Sequence, residues 1–170
     1  MTKNLDTVEE ISGWAFGLRI HGTLPSRFRS SLVPGPEDPV NSRHDVTVTY
    51  HTIDTLPEGD EFWVAEPQEP ITRGRFALLR LDGDLALSVK AEGTGIFRLG
   101  PDQIAIEWLP PEAPVAHYFF CYALPLWLET KGSPMLHASA VMIGGRVVAF
   151  LGQSGVGKST LCAELMRSGC

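Results

Sequence analysis

The sequence predicts an α+β or α/β chain, with a mainly β N-terminal domain over residues 1–112 and, over residues 113–170, a helix, a β-hairpin, a loop and a helix that open a second domain. Three observations predict it. Short apolar runs punctuated by Gly, Pro and Asp-Gly fill the chain as far as Leu109. Val115 to Thr130 is long, aromatic and free of Gly, as a buried helix is. Arg146 to Leu151 is an apolar strand that runs directly into a Gly-rich turn and then a helical pattern.

Taken in order, Ile11 to Ile20 reads as a strand, and Pro25, Pro34, Pro36 and Pro39 interrupt regular structure from there to about Asn41. Asp45 to Tyr50 alternates Val46 and Val48 with Thr47 and Thr49, the period of a half-buried strand in β-branched residues. Phe76 to Leu81 and Leu85 to Ala91 flank Asp82-Gly83, a dipeptide that tolerates positive φ and so predicts a hairpin. Gly93 to Gly100 and Gln103 to Leu109 add two more strands, ending at Pro110-Pro111, and the domain boundary is expected at Pro110 to Pro114. Pro125 predicts a kink or an early stop in the helix over Val115 to Thr130. His137 to Ile143 and Arg146 to Leu151 form a hairpin about Gly144-Gly145, and the second strand is apolar enough to be buried on both faces. Ser159 to Arg167 places Leu161 and Leu165 on one helical face, with Gly169 as a C-cap.

With 44% hydrophobic and 20% charged residues the chain lies far from the composition of disorder, so a folded core is expected. A net charge of -6 with scattered basic residues argues against nucleic acid and anionic membranes as partners, because both need clustered Lys and Arg. Met1 to Glu10 lacks a signal pattern and no apolar stretch reaches membrane-spanning length, so the cytoplasm is the expected compartment. Cys121, Cys162 and Cys170 show no CxxC spacing and read as reduced thiols.

The chemistry is carried by Gly152-Gln153-Ser154-Gly155-Val156-Gly157-Lys158-Ser159, which fits G-x-x-x-x-G-K-[ST] at every fixed position, between an apolar strand and a helix. Glycines at 152, 155 and 157 let consecutive N–H groups turn inward as an anion nest. The helix after the loop adds its unpaired N–H groups and positive dipole end. Lys158 supplies a point charge for the β- and γ-phosphates, the Ser159 hydroxyl is the expected Mg2+ ligand, and Thr160 offers a second hydroxyl. The expected ligand is a nucleoside triphosphate, ATP or GTP, with Mg2+. The loop alone leaves the reaction open, because kinases, ATPases, GTPases and transporter engines share it.

Beyond the loop, Leu136 to Gly169 (LHASAVMIGGRVVAFLGQSGVGKSTLCAELMRSG) resembles the start of the catalytic domain of HPr kinase/phosphorylase and related serine kinases. His137, Gly145, Ser154, Gly155, Gly157, Lys158, Ser159 and Gly169 stand in matching places. Ala138, where a Gly often follows the His, and Thr160, where an acidic residue is common, point to a relative rather than the type enzyme. The resemblance implies a P-loop, HPr kinase-like nucleotide-binding domain and an ATP-dependent kinase acting on a serine of a small carrier protein or precursor peptide. It further implies that His137 lies near the phosphates as a catalytic residue with Lys158, and a homo-oligomer would fit it. The family's acidic pair lies beyond the loop helix, so a chain ending at Cys170 is expected to be an incomplete kinase domain, able to bind phosphate and unable to transfer it alone.

Two other functions stay open: GGRVVAFLGQSGVGKSTL also resembles the corresponding region of ABC-type transporter ATPases, and the chain could serve as a non-catalytic regulatory or binding module. His21, His44, His51 and His117 lack metal-ligand spacing, and Asp82 and Asp84 frame a turn. Trp14, Trp63, Trp108 and Trp127 read as core or subunit-contact aromatics.

Overall fold

The computed structural model describes residues 7–35, 45–65, 74–110, 114–153 and 155–169. Pro36, Pro39, Asn41, His44, Pro111, Ser154 and Cys170, and with them part of the expected boundary at Pro110 to Pro114, lie outside the described residues. The chain divides into two compact units, Met1–Trp127 and Leu128–Cys170.

The first unit is built on an eight-stranded mixed sheet. Its strands are β1 (Val8–Ala15), β2 (Leu18–Pro25), β3 (Asp45–Thr52), β4 (Asp60–Val64), β5 (Arg75–Leu81), β6 (Asp84–Lys90), β7 (Thr94–Leu99) and β8 (Gln103–Leu109). They lie in the order β1-β2-β3-β8-β7-β6-β5-β4, with β3 parallel to both β2 and β8 and the other pairs antiparallel. The strand expected at Asp45 forms as β3, and Asp82-Gly83, at φ 53° and 92°, makes the expected β5–β6 turn. Ile11 to Ile20 is not a single strand: Phe16 and Gly17 take φ 54° and 75° and fold it into the β1–β2 hairpin. The stretch after Pro25 holds a 3-10 turn, Ser26–Ser31, that buries Phe28.

Period-two alternation sends Val48, Tyr50, Ile104, Ile106, Trp108 and Phe97 to one face, where all are buried. That face packs aromatic side chains: Phe97 and Phe28 meet Phe119 at ring-centre distances of 6.4 and 5.4 Å, and Trp108 stacks on Tyr118 at 5.8 Å. The helical layer runs from α1 (Val115–Tyr118) through a π-helical turn, Phe119–Ala123, into α2 (Leu124–Thr130). Pro125 therefore does not stop the helix. The widened turn ends just before it, and the helix carries on through Thr130. Trp127 Nε1 donates to the Gly100 carbonyl at 2.8 Å, anchoring α2 to the β7–β8 turn. Across the sheet, a smaller cluster gathers Ala77, Leu79, Leu81, Ala86 and Ile96 under Leu56.

The second unit contains β9 (Ala138–Ile143), β10 (Arg146–Leu151) and α3 (Lys158–Arg167). The hairpin turns at Gly144-Gly145, φ 56° and 74°, and Gly169 at φ 87° follows the end of α3, both as expected. The expected class does not hold. An α/β domain around this loop needs strands parallel to the loop strand, yet β10 pairs only with β9, antiparallel, and no strand among the described residues runs parallel to it. The described residues are mainly β: a mixed eight-stranded sheet, a separate two-stranded hairpin and short helices, with no P-loop α/β domain. Nor is β10 buried on both faces, since Val147 and Leu151 are 69% and 60% exposed.

Candidate functional site: the loop from Gly152 to Ser159

The antiparallel register sets Leu151, the last residue of β10, opposite Ala138, the first of β9. The loop therefore leaves the hairpin beside His137 and Ser139. Gly155 and Gly157 have φ of 85° and 90°, and a Cβ at either would meet no atom within 4 Å. Glycine is required there by backbone conformation, because the left-handed region penalises a Cβ even in open space. Gly157 precedes α3 with no side-chain cap, and Leu161 N donates to Gly157 O at 2.9 Å. The N–H groups of Lys158, Ser159 and Thr160 thus come before the first helical bond and are the orphan donors of the helix end.

Lys158 closes the loop on itself. Its Nζ donates to the carbonyls of Gly152 and Gln153 at 2.8 and 2.9 Å. An ammonium has three protons, so two brace the loop while the charge remains at its mouth for an anion.

A cavity of about 370 Å³ opens at this point, lined on one side by His137, Ala138 and Ser139 and on the other by Gly155, Gly157, Lys158, Ser159 and Thr160. Of the residues singled out from the sequence, His137, Gly155, Gly157, Lys158, Ser159 and Thr160 are brought together around it. Gly152 and Gln153 take part through their carbonyls, Val156 is 62% exposed away from the lining, and Ser154 lies outside the described residues. Ser139 is the residue that sequence reading missed: its Oγ lies 3.1 Å from Ser159 Oγ. A signal existed, since alternation along β9 puts Ser139 on the face of the buried Val141, where a polar side chain is out of pattern.

Lys158 is the one formally charged side chain in the described lining, and no carboxylate stands there. Among the described residues no group of three or more His, Cys, Asp and Glu is placed to hold a metal. In that lining the Ser159 hydroxyl is the group that would hold a Mg2+ ion arriving with a phosphate chain, where the ion would neutralise phosphate charge. The lining does not fit a resident cation bound by protein carboxylates.

Elsewhere, His21 Nε2 sits 3.4 Å from Thr47 Oγ1, His117 Nδ1 lies 3.5 Å from Cys121 Sγ, and His51 is exposed. Burial pushes the Cys121 thiol above its ordinary pKa, which suits a thiol rather than a thiolate. Asp82 accepts from Arg98 Nη1 at 2.9 Å, Trp108 and Trp127 are buried, and Trp63 is half exposed. A second cavity, about 420 Å³, lies in the first unit beside Leu56, Ser88 and Lys90, and its Glu61 is engaged with Arg75. No helix among the described residues is long and apolar enough to cross a membrane. Comparison with family models, with curated proteins and with solved structures finds no match for this chain.

Proposed function

We propose that this chain binds a nucleoside triphosphate, ATP or GTP, as its Mg2+ complex, through the backbone of residues 152–160 and the Lys158 ammonium. One observation carries the reading: the Lys158 side chain, held by two loop carbonyls, stands with three orphan N–H groups at one open cavity. Clustered, preorganised donors and a single positive charge select a multiply charged anion. The bound ion's chemistry is to neutralise phosphate charge; the residues of the chain bind and orient the phosphates.

The resemblance of Leu136 to Gly169 extends the reading to the phosphate-binding part of a cytoplasmic serine kinase of the HPr kinase/phosphorylase type, whose acceptor is a small carrier protein or precursor peptide. His137, at the rim of the cavity, is the residue of this chain best placed to meet the γ-phosphate or the acceptor. Phosphoryl transfer also needs a group that orients and deprotonates the acceptor hydroxyl, for which a carboxylate is the usual choice. The described lining offers none, which favours binding without transfer by these residues alone. The same feature supports a second reading, a regulatory module that senses the nucleotide.

Equilibrium titration with ATP and with inorganic tripolyphosphate, each with Mg2+, tests the proposal. Saturable binding lost in Lys158→Ala supports it; no binding by folded protein, or equal binding by the variant, refutes it. A phosphotransfer assay with a serine peptide then separates kinase from sensor.

A further inference from the structure

We propose that Ser139 is a positioning residue for the triphosphate site, accepting the proton of the Ser159 hydroxyl so that the Ser159 oxygen is left free to face Mg2+. The inference rests on the reading of the loop as a triphosphate site. Ser139 belongs to β9, outside the loop motif, and reaches Ser159 at 3.1 Å on the first turn of α3. The two elements face one another: β9 packs on α3, Val141 two residues along the strand is buried, and so is Cys162 three residues along the helix. The serine pair thus forms the polar end of a small interface whose other end is apolar, and both serines line the cavity.

Either hydroxyl of the pair can donate while no cation is near. A cation on the Ser159 oxygen removes that freedom. The oxygen must present a lone pair to the ion, its proton must point away, and coordination makes that proton more acidic. Ser139 Oγ, 3.1 Å away, is an acceptor within reach. Partners of this kind, which orient a ligating group without touching the metal, typically tune metal affinity by roughly 10- to 100-fold. Ser139 also ties the hairpin to the ion, so cation binding and the β9 to α3 contact strengthen one another.

The test compares ATP affinity in excess Mg2+ with affinity in EDTA, for wild type, Ser139→Ala and Ser139→Thr. The expected result is a Mg2+-dependent gain in wild type and Ser139→Thr that falls about tenfold in Ser139→Ala, with affinity in EDTA unchanged. A merely structural serine would shift both conditions together or neither, and either outcome overturns the inference while leaving the triphosphate site standing. Absence of ATP binding by folded wild type overturns the site and this inference together. Should Ser139→Ala melt early, Ser139→Cys keeps the volume with a weaker acceptor and is expected to lose part of the Mg2+ gain; full retention counts against the proposal.

Discussion

The eight-stranded sheet and the unit of hairpin, loop and helix at the C-terminal end are held by different forces. In the sheet, Trp108, Phe97, Phe28, Phe119 and a set of Ile, Leu and Val side chains are almost fully removed from water. In the second unit Val141 and Cys162 are buried, whereas Leu136, Met142, Val147, Leu151, Val156 and Met166 are each at least 60% exposed. Its shape comes from glycine turns, an antiparallel ladder and the two hydrogen bonds of Lys158. The large core and the proposed triphosphate site thus lie in separate parts of the chain, the proposed site in the part with the smaller core, where local opening is expected to cost less.

The two parts separate most clearly at Lys158. Lys158→Ala removes both the charge and two loop braces, so triphosphate affinity is expected to fall by roughly 100-fold, the scale of losing charge-assisted bonds. The thermal melt of the sheet is expected to stay where it is, because the two hydrogen bonds of that side chain both go to loop carbonyls. Phe97→Ala reverses the pattern. Truncating a fully buried aromatic is expected to cost about 3 to 5 kcal/mol in a denaturant titration, with triphosphate affinity unchanged wherever the variant remains folded. A smaller core effect is expected at Gly95, where a Cβ would stand 2.2 Å from Trp108 Cε3. Gly95→Ala forces the indole to shift, at about 1 to 3 kcal/mol. By contrast, Val147→Thr and Leu151→Thr on exposed β10 are expected to change stability by less than about 0.5 kcal/mol each. Costs on β10 as large as in the core would mean that the hairpin is covered in solution.

Legibility in the sequence divides along the same line. Strands whose side chains alternate between core and outside, such as Val46 to Tyr50 and Gln103 to Leu109, are readable because burial imposes a period of two. The Asp82-Gly83 turn is readable from its residue types. The turn at Phe16-Gly17 is not, because a phenylalanine holds the left-handed position where Asn or Asp gives the usual signal. Strand β4 escapes because its apolar residues, Phe62, Trp63 and Val64, are consecutive and all exposed, so no alternation between core and solvent marks it. The loop is legible from its fixed glycines, lysine and serine, since backbone conformation and charge dictate those types. The class of the surrounding domain is not: apolar β10 carries the composition of a buried parallel strand but has one antiparallel neighbour and open water beside it. Ser139 is marked in the sequence only as a polar residue out of pattern on β9, whereas its nearness to Ser159 exists only in the fold.

The smallest expected effect lies at the edge of the sheet. Strand β4 is as exposed as the hairpin, its ladder with β5 shifts between Glu61 and Trp63, and a bidentate pair joins Arg75 to Glu61, with Nη1 to Oε1 at 2.7 Å. The hydrogen bonds from Arg75 hold the Glu61 carboxyl below the usual carboxylate range, burial opposing slightly. In the unfolded chain that carboxyl titrates normally and binds protons more readily. The pair's contribution is therefore complete above the unfolded pKa and is lost as pH falls through the lower folded value. Being open to solvent, it is also screened by salt. Urea midpoints of wild type and Glu61→Gln, taken from about pH 7 down to about pH 3, are expected to differ slightly at neutral pH and to converge in acid. A difference that persists in acid would assign Glu61 a packing role instead. A difference as large as that of Phe97→Ala would show that polar pairs at the edge, rather than aromatic burial at the centre, set the stability of the sheet.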